Sequence, residues 1–268
     1  MQVSIIGAGN VATVLGRELC GVNKVDKVNR VDKVNKVYKV AQVYARDAVS
    51  ANQLAAELGA EAITDLSRLD DSADLYLVAV TDAALPEIAA RLALKNRLVI
   101  HTAGSVPKTV LQHVSTRYGV LWPMKMIRKD MPALGPVTMV VDGSSEEVIR
   151  QVEELAAVFT DTIVRADDET RLKMHMVAAF TSNFSNHLYH LAADFCAAEK
   201  IDFSLFYPII EATVQNLLQQ HPAQAQAGPA FRGDRQTEEK HLVLLEQYPQ
   251  AKQLYQILSN SIRQSFRG

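Results

Sequence analysis

One glycine-rich hexapeptide and one histidine are the residues of this sequence whose types and spacing best fit a chemical task. Gly7-Ala8-Gly9-Asn10-Val11-Ala12 follows the apolar run Val3–Ile6 and precedes a helical pattern. In a strand–turn–helix, Gly7 permits the tight turn and Gly9 lets the backbone approach a pyrophosphate. Ala12 is small enough for the helix to pack on the strand. Exposed N–H groups at the helix start then favour an anion. The six residues Gly7, Ala8, Gly9, Asn10, Val11 and Ala12 are therefore the expected pyrophosphate cradle of a dinucleotide, with a merely tight turn as the alternative.

The end of the second strand should choose the ribose. Gly7 and Arg46 are 39 positions apart; setting aside the eighteen residues of a triplet repeat leaves 21, close to the spacing of about 20 expected. An arginine there can grip a 2′-phosphate, so NADP is expected. Asp47 beside it keeps NAD open, since a carboxylate holds a 2′-hydroxyl. Further contacts are expected where parallel strands end, at Thr81 and at Thr102, Gly104 and Ser105. Ordinary turn chemistry with helix capping is the alternative for each.

Hydride chemistry needs a proton-transferring group beside the substrate. His175 opens a long helical pattern, and Ser182 lies seven residues on, two turns along the same face. His175 is the candidate general acid/base, with Ser182 and Asn183 orienting substrate or nicotinamide amide; the alternative is a packed histidine between Met174 and Met176. His101 is expected to position the Thr102–Ser105 loop. Lys125 and Arg128 are either solvated or ligands for an acidic substrate, and Arg232-Gly233-Asp234 reads as a charged loop closing over a cleft or pairing across a dimer.

These groups need elements to hold them. Val3–Ile6, Val40–Ala45, Leu75–Val80, Leu98–His101 and Val120–Leu121 read as strands, with Val137–Val141 and Thr162–Val164 near a sheet edge. Ala48–Leu58, Ala84–Leu94 and Glu146–Phe159 alternate with them as helices, the rhythm of a parallel sheet. Beyond residue 167 the patterns are helical: Thr170–Lys200, Leu205–Gln220, Thr237–Glu246 and Gln250–Gln264, with His221–Gly228 as a loop. The expected fold class is α/β, an N-terminal Rossmann parallel sheet over residues 1–165 followed by an all-helical domain over 166–268.

Six near-identical triplets run from Val22 to Lys39. A period of three keeps no single face apolar in either helix or strand, so they are expected to be a peripheral insertion, despite a basic character that suggests nucleic acid. The formal net charge of −2 argues against nucleic-acid and membrane partners. Cys20 and Cys196 match no metal or redox spacing, and no metal site is expected. The start turns glycine-rich too early for a signal peptide, and no apolar run is long enough to span a bilayer, so a cytoplasmic protein is expected.

Taken in order along the chain, five stretches carry a resemblance: Gly7–Ala12, His101–Ser105, Leu121-Trp122-Pro123-Met124, His175 through Ser182-Asn183, and Gly228–Asp234. The chain resembles a family of Rossmann-like NADP oxidoreductases whose C-terminal part is classed as a domain of unknown function. That family is related to deazaflavin-dependent NADP oxidoreductases, pyrroline-5-carboxylate reductase and the 6-phosphogluconate dehydrogenase superfamily. The resemblance implies a helical second domain of the 6-phosphogluconate dehydrogenase C-terminal kind, a homodimer, and an active site between the domains that takes a small-molecule substrate. Two departures stand out: the triplet insertion, and Trp122 where a histidine is expected before the proline. The functional expectation is an NADP-dependent oxidoreductase; the alternative is a non-catalytic NADP(H) sensor in the same cleft.

Overall fold

The computed structural model describes residues 1–21 and 37–266. In chain order the first half holds β1 (Gln2–Ile6), α1 (Asn10–Cys20), β2 (Lys39–Tyr44), α2 (Ala48–Leu58), β3 (Glu61–Ile63), β4 (Leu75–Val78), α3 (Leu85–Ala90) and β5 (Lys95–His101). It continues with β6 (Ser115–Met124), β7 (Thr138–Gly143), α4 (Glu146–Ala156) and β8 (Ile163–Arg165). Among the described residues these strands form one sheet in the order β3-β2-β1-β4-β5-β6-β7-β8. Neighbouring strands run parallel except β6 and β7, which pair antiparallel from Gly119–Gly143 to Met124–Thr138. The expected α/β sheet is present, with the last two strands at its edge.

Alternation along each strand feeds two cores. Val3 and Ile5 pack on one face with Val14 and Leu15 of α1 and Val152 of α4. Ile6 packs on the other with Tyr76, Val78 and Leu85. Because helices cover both faces, the buried stretches of the central strands are largely apolar on both sides rather than half polar, with Ser4 of β1 and His101 of β5 as buried polar residues. Polar side chains start the helices: Asp47 accepts from the Ser50 amide at α2, Ser145 from Val148 at α4, and Asp167 from Thr170 at the next helix.

That next helix is α5 (Asp168–Ala178), followed by a π turn over Ala179–Phe184 and α6 (Ser185–Ala198). The single helix expected over Thr170–Lys200 is thus interrupted. The Thr181 hydroxyl donates to the Val177 carbonyl at 3.0 Å, competing with the helical ladder where the turn widens. The chain ends with α7 (Tyr207–Gln219), α8 (Pro222–Ala225), α9 (Pro229–Arg232), α10 (Arg235–Leu244) and α11 (Pro249–Phe266). The expected loop His221–Gly228 contains α8, one short turn started by Pro222.

Two compact units result, residues 1–183 and 184–268. Strand structure ends at Arg165, yet α5 and most of the π turn belong to the sheet's unit. In the helical unit, Arg263 pairs with the buried Glu238, and Arg232-Gly233-Asp234 is a helix-to-helix turn. Gly233 takes the left-handed conformation that ends α9, and Asp234 caps α10 through the Thr237 amide. The charged loop is therefore a local capping device, its aspartate already engaged.

Of the insertion expected over 22–39, residues 22–36 lie outside the described residues. Its final triplet belongs to the fold. Tyr38 is buried in the first core, and Lys39 pairs with Gln2 as β2 begins. Burial, aided by the Glu154 carboxylate, pushes the Tyr38 phenol up to about 12.

Candidate functional site

The glycine turn sits where β1 passes into α1. Gly7 has φ +124°, and a Cβ there would lie 2.2 Å from the Ala79 carbonyl oxygen, so only glycine fits. At Gly9 a Cβ would meet nothing within 4 Å. Gly9 begins α1 with no side-chain cap, and the helix's first turn carries no acidic residue. Gly9, Asn10 and Val11 at the start of α1 line an open cavity with no side chain capping the helix, as an anion-binding helix start requires. Ala12 is fully buried against the sheet. Asn10 Oδ1 accepts from the Lys129 amide at 3.1 Å, tying the turn to the segment after β6.

A cavity of about 530 Å³ opens over this turn, walled by Gly7 to Val11, Arg46, Ser50 and Thr81 among others. Arg46 is exposed and makes no ion pair among the described residues. Asp47 is engaged: the Ser50 hydroxyl and amide both donate to its carboxylate and hold its pKa below the usual range. Asp47 is thus committed to capping α2, while Arg46 beside it lines the cavity. Tyr44, Ser50 and Glu87 join the wall without having been anticipated; Ser50 was legible only as a helix-start residue after Asp47.

Thr102, Gly104 and Ser105 do not line that cavity. The Thr102 amide donates to the Val78 carbonyl, joining the ends of β4 and β5. Ser105 bonds to Asp82, so the two strand-end loops are tied side chain to side chain. Gly104 is buried against another group altogether: a Cβ there would lie 2.6 Å from both His175 Cδ2 and Trp122 Cε2.

His175, Ser182 and Asn183 line one open cavity of about 940 Å³ with Trp122, Lys125 and Met126. The indole of Trp122 and the imidazole of His175 lie 5.5 Å apart, tilted by 50°. Neither ring nitrogen of His175 is hydrogen-bonded among the described residues. The three residues expected to act together are thus on one wall, within the sheet's own unit.

A buried charge network holds this wall. Arg171, one turn before His175, is 1% exposed and donates to the Asp168 carboxylate at 2.6 Å and the Val106 carbonyl at 2.7 Å. Asp142 of β7 lies 3.8 Å from its other terminal nitrogen and pairs with Lys108 at 2.6 Å. His101 is fully buried, and its Nδ1 accepts from the Ala103 amide, which sets the loop that carries Gly104. Burial first, then the Arg171 cation, push the His101 pKa down to about 4, against the pull of Asp168 and Asp82. His101 was legible as a positioning residue but Arg171 was not: besides Asp168 on its own helix, the groups it meets, Asp142 and Val106, lie 29 and 65 positions away.

A doubly wound sheet with an open glycine cradle at its first helix defines an oxidoreductase-type Rossmann fold, continued by helices. Residues 2–104 match the family model of coenzyme F420-dependent NADP oxidoreductases, and residues 137–262 match a domain of unknown function, DUF2520. A Bacteroides fragilis protein provisionally named an NADP oxidoreductase is 32% identical, with 98% of each chain covered and a TM-score of 0.87. A reductive aminase from Aspergillus terreus, solved with NADPH and ethyl-5-oxohexanoate, is 14% identical over 99% of this chain and 93% of its own, at a TM-score of 0.71. The 1-pyrroline-5-carboxylate reductase of Streptococcus pyogenes is 13% identical, covers 98% of both chains and scores 0.61. No match was found among curated proteins. The chain belongs to the family that joins an NADP oxidoreductase-type Rossmann domain to a DUF2520 domain.

Proposed function

We propose that this chain is an NADP(H)-dependent oxidoreductase that moves hydride between the nicotinamide and a small molecule held against α5. The observation that carries the reading is the uncapped start of α1, facing open space at Gly9 beside an unpaired Arg46. The residues fit the cofactor: the amides of Gly9 to Val11 would hold the pyrophosphate and Arg46 the 2′-phosphate. When bound, NADPH supplies the hydride.

The protein's part is orientation and the proton. His175, with both ring nitrogens unengaged, would donate a proton to the substrate's reacting oxygen or nitrogen as the carbon is reduced, and accept one in the reverse direction. Ser182 and Asn183 would orient the polar end of substrate or nicotinamide amide. The helical unit would pair with a second copy of the chain; its exposed Leu205, Phe206, Ile209, Leu217 and Leu218 support a self-association surface.

The test is a titration of NADPH and NADH into the protein, followed by a screen of small carbonyl and imine compounds for NADPH consumption. Tight NADPH binding with turnover that is lost in His175→Asn supports the reading. NADPH binding without turnover of any compound replaces it with the sensor function. Absence of binding removes both.

A further inference from the structure

The cavity beneath His175 has an unusual charge distribution. Its wall contains no aspartate or glutamate but two lysines, in a surface otherwise formed largely by Trp122, three methionines and aliphatic side chains. The lysines differ. Lys173 is neutralised by Glu169 at 2.5 Å. Lys125 Nζ instead donates to two backbone carbonyls, Leu134 at 2.6 Å and Pro136 at 3.0 Å. Those oxygens fix the ammonium without cancelling its charge, and among the described residues no carboxylate lies within ion-pair distance of it. An ammonium has three donors, so one N–H remains for a ligand. Nearby Arg128 offers no such capacity, because Asp130 takes its guanidinium at 3.1 and 2.9 Å.

An immobilised cation without a counter-charge in an apolar wall favours a ligand that brings one anionic terminus and an apolar body. The cavity's volume lies within the range of about 300–1,000 Å³ typical of small-molecule sites. We propose that the substrate is a small apolar monocarboxylate, a 2-oxo acid or its imine, with its carboxylate on Lys125 and its reducible carbon facing His175. This rests on the oxidoreductase reading above. In the reduction, the C=O carbon gains hydride from NADPH and its oxygen gains a proton, giving a 2-hydroxy acid and NADP⁺.

Trp122 is the single tryptophan of the chain and lines this cavity, so its fluorescence reports occupancy without any turnover. The probes are 4-methyl-2-oxopentanoate and 4-methylpentan-2-one, which share an apolar skeleton and differ in the carboxylate. Each is titrated into the NADP⁺ complex and, separately, assayed as an oxidant of NADPH. The oxo acid should bind about tenfold or more tightly than the ketone, losing that advantage in Lys125→Met and regaining it in Lys125→Arg. The wild-type comparison stands even where Lys125→Met fails to fold. Equal binding of both probes, or an advantage that survives Lys125→Met, overturns the carboxylate assignment, and turnover of the ketone would then leave the oxidoreductase reading intact. Lys125-dependent binding of the oxo acid without NADPH oxidation supports the anion site and counts against reduction instead.

Discussion

Gly104 and His175 meet so closely that a methyl group on the glycine would lie 2.6 Å from the imidazole Cδ2. The strand-end loop and the histidine, 71 positions apart, therefore behave as one packed unit, with the Trp122 indole closing the third side. Gly104→Ala should displace both rings and cost about 1–3 kcal/mol of stability by overpacking. Because Gly104 lies outside the cradle over the glycine turn, kcat should fall by a larger factor than NADPH affinity. Unchanged kcat would separate the His175 position from the chemistry.

Arg46 is the residue proposed to select NADP(H) over NAD(H). Arg46→Ala should weaken NADPH binding by about 1.5–3 kcal/mol, roughly ten- to a hundredfold, and leave NADH binding unchanged. Calorimetric titration of both cofactors measures it. Equal loss for both cofactors would assign Arg46 to general packing rather than to the 2′-phosphate.

Arg171 anchors α5 to the sheet edge. Arg171→Met should destabilise the protein by about 3–5 kcal/mol, because Asp168 and Asp142 would lose their buried cation. Chemical denaturation gives the figure. Arg171→Met together with Asp168→Asn should recover part of it, since Asp168 is the carboxylate that loses its ion pair while Asp142 keeps Lys108.

His101 should make stability fall as the solution turns acid. Its folded pKa, about 4, lies below the ordinary value near 6.5. The unfolded chain therefore binds the proton first. The imidazole costs nothing above about pH 6.5, and its penalty grows as pH falls toward 4. Between pH 7 and pH 5 the wild type should lose about 2 kcal/mol more than His101→Gln. Parallel loss in both proteins would assign the acid sensitivity to the carboxylates.

Much of the fold was legible because its signals are local. The run Val3–Ile6 followed by Gly7 and Gly9 specifies a strand, turn and helix within ten residues, and the structure has them there. β6 was seen only at Val120–Leu121, since Gly119 and Pro123 break the apolar run; pairing with β7 extends the strand through both. β3 has three residues and no periodicity to read. The repeat masked Tyr38: its triplet looks like the five before it, yet its ring fills core space that a three-residue period cannot reveal. The site divided in the same way. Gly7 to Ala12 could be read from adjacent residues, whereas the contact of Gly104 with His175 and the approach of Arg171 to Val106 and Asp142 depend on folding distant segments together.

The central claim is that one bound NADP(H) reaches from the glycine turn to the wall that carries His175. A crystal structure of the complex with NADP⁺ and 4-methyl-2-oxopentanoate, both oxidised and so unreactive together, measures it directly. The pyrophosphate should lie on the amides of Gly9 to Val11, the 2′-phosphate on Arg46, and the nicotinamide in the cavity of Trp122 and His175. Nicotinamide C4 should lie about 3–3.5 Å from the ligand's second carbon, in near-attack distance. A nicotinamide on the opposite side of the sheet's edge, with His175 in contact with neither ligand, would contradict it.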